Sequence, residues 1–301
     1  MENLAQFFLR VALVSFLAIS TIAAQAQTDS LRNQIKQLEQ LAKGKVYMAY
    51  ALIEDHDTLS YNGNAHAVMQ SVMKLPIAMA VLHQVDVGQL KLTQTIHITK
   101  ADLPETFSPL RDKYPDGNVD VSIADLLSYM VTLSDNDACD ILLKLLGGTK
   151  PVEQYIHQLG FKQFSLKASE RQMGSSWAAQ YTNWCRPVDM VQLLCIVDKG
   201  TALSEASNGY LWQLMLATVP GAKRIKGMLP AGTPVAHRTG TGATNTKGFI
   251  AAINDVGIIM LPNGKHLALA VFVNDTYMNN TQCEKVIARI SKAVYDYAMS
   301  K

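Results

Sequence analysis

A chain of 301 residues that is 49% hydrophobic and 17% charged carries enough apolar side chain for a sizeable core, which excludes a disordered or fibrous protein. Its formal net charge of +2, with the basic residues scattered, leaves no footprint for nucleic acid or an anionic membrane surface as a partner. The length suits one large domain or two interleaved ones.

Residues 1–26 differ from the rest. Arg10 precedes an apolar run from Val11 to Ala24, and Ala24-Gln25-Ala26 has the small-residue spacing of a signal-peptidase site. The run is shorter than the roughly 20 residues that span a bilayer, so cleavage before Gln27 and export to the periplasm or medium are expected, with a membrane anchor as the other reading. No later apolar run is long enough to span a membrane. Cys139, Cys185, Cys195 and Cys283 allow up to two disulfides, but Cys139 sits in an apolar helical pattern and reads as a buried thiol. Neither they nor the seven histidines show metal-ligand spacing, so no metal or other cofactor is expected.

In chain order, an amphipathic helix is predicted near Leu31 to Leu41, then a strand over Val46 to Ile53 with a hairpin partner over His56 to Asn62. Helical spacing runs from Ser71 to about Val87, and Pro76 places the helix start close to Ser71. Ser122-Ile123-Ala124-Asp125 opens the next helix, Asp135 to Leu146 forms another ending at Gly147-Gly148, and Pro151 starts a third. Leu166 to Trp184 has no clean period and reads as a long loop, the kind of connection that tends to be functional. Helical spacing resumes over Pro187 to Val197 and Ser204 to Thr218. Strands follow over Pro234 to Thr239, Phe249 to Leu261 and His266 to Val273, then a helix from Thr281 to Met299. Strands at both ends imply one shared sheet: an α/β (α+β) domain from 27–66 and 220–301, with a mainly helical domain, 67–219, inserted and the site at their interface.

Three tripeptide-scale signals carry chemistry. Ser71-Val72-Met73-Lys74 puts a hydroxyl and an amine on one helix face, where the helix N-terminus disfavours the protonated amine and its free N–H groups suit an oxyanion. Alone this is weak, because average composition yields about one S-x-x-K by chance in such a chain. Ser134-Asp135-Asn136 lies between two helices, where a turn can aim a second hydroxyl and a carboxamide into a cleft, or where Asp135 simply caps a helix. Arg238-Thr239-Gly240 ends a strand with a cation, a hydroxyl and a glycine that permits close approach to the backbone. Their joint occurrence in this order is hard to attribute to chance.

With these motifs the chain resembles the penicillin-interacting serine enzymes, whose signature is S-x-x-K, S-D-N and K-T-G. Gln70-Ser71-Val72-Met73-Lys74, Leu229-Pro230-Ala231-Gly232 and Gln180-Tyr181-Thr182-Asn183-Trp184 look like the PER, VEB and CfxA branch of class A β-lactamases. The resemblance spans essentially all of the chain after residue 26. It implies the β-lactamase/transpeptidase-like fold, a small-molecule β-lactam as partner, a monomer, and Ser71 as nucleophile beside Lys74. It leaves open whether Lys74 or a glutamate acting through water is the acylation base. It further implies that Ser134 relays a proton to the lactam nitrogen, that Asn136 binds the acylamino side chain, and that the N–H groups of Ser71 and Thr241 form the oxyanion hole. Arg238, with Thr239 and Gly240, would receive the substrate carboxylate; most relatives carry Lys there, although some carbenicillin-hydrolysing members have Arg. Arg224 falls where several relatives keep a second carboxylate-binding cation, or is a helix-terminal surface arginine. Phe107 falls at the aromatic wall of the cleft, or packs in the core.

Both β-lactamases and D-Ala-D-Ala carboxypeptidases form an acyl-enzyme, and a β-lactam sensor keeps it. Deacylation needs a further carboxylate, and Glu170 is the one acidic residue between Leu166 and Trp184. The usual Asn four residues after that Glu is here Gly174, and the Arg and Asp that usually pin the loop fall at Ala168 and Asn183. These departures suit the PER-like branch, whose loop leaves a wider cleft, so oxyimino-cephalosporins are expected among the substrates.

Overall fold

The computed structural model describes residues 27–301; the expected export segment, residues 1–26, lies outside the described residues. The chain is described from helix α1 (27–42), which leads into β1 (Lys45–Leu52) and its antiparallel partner β2 (Asp57–Tyr61). β1 then pairs with β10 (His266–Thr276), which pairs with β9 (Ile250–Met260), which pairs with β8 (Val235–Thr241). The five-stranded sheet has the order β2-β1-β10-β9-β8 and every pairing is antiparallel, so the two ends of the described chain share one sheet as expected.

Side-chain alternation along these strands separates two cores. Val46, Met48, Tyr50 and Leu52 of β1, with Leu267, Leu269, Val271 and Val273 of β10, face α1 and the long α10 (Asn280–Met299), meeting Leu31, Ile35, Ile287, Ile290 and Val294. On the other face, Ala49, Ala51, Ala268 and Ala270 present small side chains to the second core, which they share with residues of α8 (Pro187–Lys199). Small residues there let a helix backbone come close to the sheet, and larger apolar residues on the opposite face fill the space under α10.

The second core continues into the helical region: α2 (Lys74–Asp86), α3 (Pro109–Lys113), α4 (Ile123–Thr132), α5 (Asn136–Leu145), α6 (Thr149–Gln158), α7 (Glu170–Ser175) and α9 (Glu205–Leu216). α2 is buried along most of its length, from Lys74 to Leu82, so it forms the axis around which the others pack. Pro76 occupies the third position of α2, where its missing N–H costs nothing.

The structure corrects the sequence reading in three places. α6 starts at Thr149, two residues before the proline expected to open it. The exposed pair β4 (Thr95–Thr99) and β5 (Gly117–Ser122) and the short α3 carried too little apolar periodicity to be noticed. The stretch 166–184 is less irregular than expected. It is bounded by β6 (Phe164–Ser165) and β7 (Trp184–Cys185), which join β3 (Ala67–Val68), and it contains α7 and a 3₁₀ turn over Ala178–Thr182. Six residues are too few to display a helical period, but a cue was present: Ser169 and Gln172 form a reciprocal capping box.

Candidate active site

Ser71 lies on a 3₁₀ turn over Gln70–Met73 that runs directly into α2, which places Lys74 at the first α-helical position. The preceding Gln70 has φ +49 and Ser134, between α4 and α5, has φ +66. Left-handed backbone at two non-glycine residues costs free energy that the surrounding contacts must offset, and such residues gather at functional sites. Asn254 on β9 supplies one restraint: its amide donates to the carbonyls of Val68 and Met69 at 2.8 and 3.0 Å, holding the chain just before Ser71.

Lys74 is fully buried and its ammonium donates to Ser134 O at 2.8 Å and Asn136 Oδ1 at 2.6 Å, and pairs with Glu170 Oε1 at 2.9 Å. The same Glu170 oxygen accepts the Ser71 hydroxyl at 3.2 Å. One carboxylate oxygen therefore bridges the serine and the lysine. On the other side, Lys74 Nζ is 3.5 Å from Ser134 Oγ, the outer limit of a hydrogen bond.

Arg238 reaches this cluster from β8. Its guanidinium donates to Ser71 O at 3.1 Å, to Val131 O at 3.2 Å and to the Ser134 hydroxyl by a short bond. Complete burial lowers its pKa to about 10, against which Glu170 pulls it back upward, so the group stays cationic at neutral pH. The planar fork thus links the backbone of Ser71 to the Ser134 hydroxyl, as a lysine's single ammonium does not.

Gly240 also has a use inside the fold. A Cβ there would come within 2.3 Å of Met69 O and 3.1 Å of Asn254 Nδ2, so the glycine lets β8 lie against the backbone preceding Ser71. Thr239 is buried, with its methyl so close to Gly221 (φ +90) that a Cβ on the latter would meet it at 2.3 Å. Arg224 is also buried: it donates to Gly240 O at 3.0 Å, Asn254 O at 2.9 Å and the Thr241 hydroxyl at 2.7 Å, and approaches Glu284 at 3.4 Å. It lies behind the end of β8, and the surface-arginine reading does not hold.

Asn136 donates to Thr106 Oγ1 at 2.9 Å, and its backbone N–H bonds Phe107 O at 3.1 Å. Phe107 itself is 61% exposed, which rules out the core reading. Asp135 does cap α5, accepting from Ala138 N at 2.8 Å, and also binds Leu110 N at 2.6 Å and the Ser108 hydroxyl. The cap and the site coexist.

Glu170 begins α7, and two residues absent from the predicted site place it. Asp140, one turn after Asn136 on α5, accepts the N–H groups of Glu170 at 2.8 Å and Arg171 at 2.9 Å and the Ser169 hydroxyl at 3.1 Å. The i, i+4 spacing from Asn136 was its sequence signal. Burial raises the Asp140 pKa, while the N–H bonds oppose that. Asn183 substitutes for the missing ion pair. Its side-chain oxygen accepts Lys167 N and Ala168 N at 2.8 and 2.9 Å, and its amide donates to Ala168 O at 2.8 Å. Nothing lies within 4 Å of a Cβ built on Gly174. All four cysteines are free, and Cys139, buried under the site, has its thiol pKa pushed well up by desolvation.

Residues 30–298 match the model of the β-lactamase enzyme family. The chain is 41% identical over 296 residues to β-lactamase VEB-1 of Pseudomonas aeruginosa, covering 97% of this chain and 98% of that one. Among solved structures it is similar to a β-lactamase of Chitinophaga pinensis, with a TM-score of 0.86 at 49% identity over 89% of this chain and 98% of that one. It is likewise similar to the TLA-1 extended-spectrum β-lactamase, with a TM-score of 0.88 at 48% identity over 90% and 98% of the two chains. The chain belongs to the class A serine β-lactamases and hydrolyses β-lactams through a serine-dependent reaction.

Proposed function

We propose that Ser71 is the nucleophile and that Glu170 serves both half-reactions, and the observation that carries this is the single Glu170 oxygen in contact with both Ser71 Oγ and Lys74 Nζ. Ser71 Oγ attacks the lactam carbonyl carbon as its proton passes to Glu170, and the N–H groups of Ser71 and Thr241 receive the oxyanion. When the C–N bond breaks, the nitrogen takes the proton of Ser134. Lys74 reprotonates Ser134 and recovers a proton from Glu170, which leaves the carboxylate free. Glu170 then deprotonates a water that attacks the acyl carbon, and Ser71 departs with that proton. Asn136 binds the acylamino side chain. Arg238 and Thr239 attract the substrate carboxylate, and Arg224 adds positive charge from behind the strand through the Thr241 hydroxyl.

Glu170→Ala is the deciding variant. Intact-protein mass spectrometry with benzylpenicillin is expected to show a penicilloyl adduct on Ser71 that forms more slowly than in the parent, since the acylation base is gone, and then persists while absorbance at the lactam band stops falling. Turnover at the parental rate would remove Glu170 from the mechanism.

The substrates include oxyimino-cephalosporins. A cavity of about 270 Å³ beside Glu170, bounded by Thr106, Asn136, Asp140 and Gly174, offers room for a branched side chain that an asparagine at 174 would fill. The relative TLA-1 is itself described as extended-spectrum. The protein works as an exported monomer. Export is supported by the composition of residues 1–26, and among the described residues no helix is long and apolar enough to cross a membrane.

A further inference from the structure

At the end of the sheet remote from the cleft, three side chains from separate elements converge. Glu54 lies in the turn between β1 and β2, Asp198 in the last turn of α8, and His266 is the first residue of β10. One potential ligand atom from each lies within 4.8 Å of the other two. We propose that Glu54, Asp198 and His266 form a binding site for a divalent transition-metal ion of the zinc class.

The geometry is already partly set. His266 Nδ1 is 2.6 Å from Asp198 Oδ1, and the backbone N–H of His266 donates to Glu54 Oε2 at 2.9 Å. Both carboxylates are thus held against the same histidine. The neighbouring cation Lys265 is engaged by Asp55 Oδ2 at 2.7 Å. One imidazole and two carboxylates are a donor set that zinc accepts, with water completing the tetrahedron. Asp198 and His266 keep side-chain exposures of 10% and 31% and Glu54 is exposed, so solvent can enter and complete the coordination.

Binding replaces a proton by the ion. In the neutral ring the Nδ1 proton moves to Nε2, and from a charged ring it leaves to solvent. Two ligands at about 2.0–2.1 Å from a tetrahedral ion stand about 3.3 Å apart. The 2.6 Å contact between His266 and Asp198 therefore opens by under an ångström, within reach of side-chain rotation. An ion there joins α8 and the β1–β2 turn to the start of β10. Since it binds the folded chain, it raises thermal stability.

The site is independent of β-lactam turnover. Thr241 is in register with Ile253, and Ile253 with Val273. His266 is seven residues before Val273 on the same strand, roughly 24 Å away.

Trp212 provides a local reporter, its ring centroid 6.0 Å from that of His266. Protein stripped with chelator and titrated with Zn²⁺ alone is expected to bind one ion per chain and melt at a higher temperature. His266→Gln and, at an exposed position, Glu54→Gln should each weaken Zn²⁺ binding by at least about tenfold, with unchanged β-lactam turnover. Cu²⁺ should quench Trp212 saturably in the parent and not in His266→Gln, with Trp212→Phe identifying the quenched component. Failure of the parent to bind Zn²⁺, or parental affinity in either variant, overturns the site and leaves only an ion pair.

Discussion

The two walls of the cleft are built to different standards of restraint. On the β8 side, Arg238 makes three hydrogen bonds and Arg224 ties Gly240, Asn254 and Thr241 together from behind. On the α7 side, the backbone of the six-residue helix carrying Glu170 hangs from one carboxylate, Asp140, with one amide, Asn183, pinning the stretch of loop before it and the Glu170 side chain itself meeting Ser71 and Lys74. Ser71 and its cationic neighbours are over-determined, whereas Glu170, the proposed base, sits on a lightly held element. Room for substrate is gained on the lightly held side, where Gly174 leaves a gap.

Breaking the rigid wall should have the largest effect. Arg238→Ala leaves Ser71 O, Val131 O and the Ser134 hydroxyl without their donor, and kcat/KM for benzylpenicillin should fall by about 10²–10³. Arg238→Lys keeps the charge but not the fork, and should recover activity to within about tenfold of the parent. Equal loss in both variants would mean that the geometry of the guanidinium, rather than its charge, is what matters.

The loop side should respond in stability and in deacylation together. Asn183→Ala removes three hydrogen bonds to buried or half-buried backbone, and should cost about 2–3 kcal/mol in urea unfolding. It should also slow acylation and deacylation alike, because both are proposed to use Glu170 as base, as read from stopped-flow bursts. Parental rates in both steps would contradict the contrast between the walls. Gly174→Asn sharpens it further: filling the gap should lower kcat/KM for an oxyimino-cephalosporin by about tenfold while sparing benzylpenicillin.

The smallest expected effect tests a cost on the helical side. Burial raises the Asp137 pKa to about 6, and its Oδ2 has no partner. A carboxyl whose folded value lies above its ordinary 3.8 contributes stability that is complete below about pH 4 and lost as pH rises through about 6. Asp137→Asn should therefore stabilise the protein at pH 7 by about 1 kcal/mol and flatten its stability profile over that window. An unchanged profile would place the titration elsewhere.

Much of this site is legible in the sequence. Ser71, Lys74, Ser134, Asn136 and Arg238 sit in short motifs whose spacing already puts them on a helix face, a helix junction and a strand end. The structure brings them within hydrogen-bonding reach of one another. What could not be read were choices between two uses of the same residue type. Arg224 looked equally suited to the surface and Phe107 to the core, and Gly240 gave no sign of its fit against Met69 O. Each depends on what another part of the chain places opposite it.

The same division runs through the whole molecule. By itself the sequence determined the order of the main helices and strands, the one sheet shared by the chain's ends, and the catalytic vocabulary, because periodicity, caps and three-residue motifs act over one or two turns. Only the tertiary structure decided that Asn183 stands in for an ion pair and that Asp140 holds the turn bearing Glu170. It alone brought Glu54, Asp198 and His266 together. Those contacts join residues 15 to more than 200 positions apart, and no local pattern records which distant atoms will share a hydrogen bond once the chain is packed.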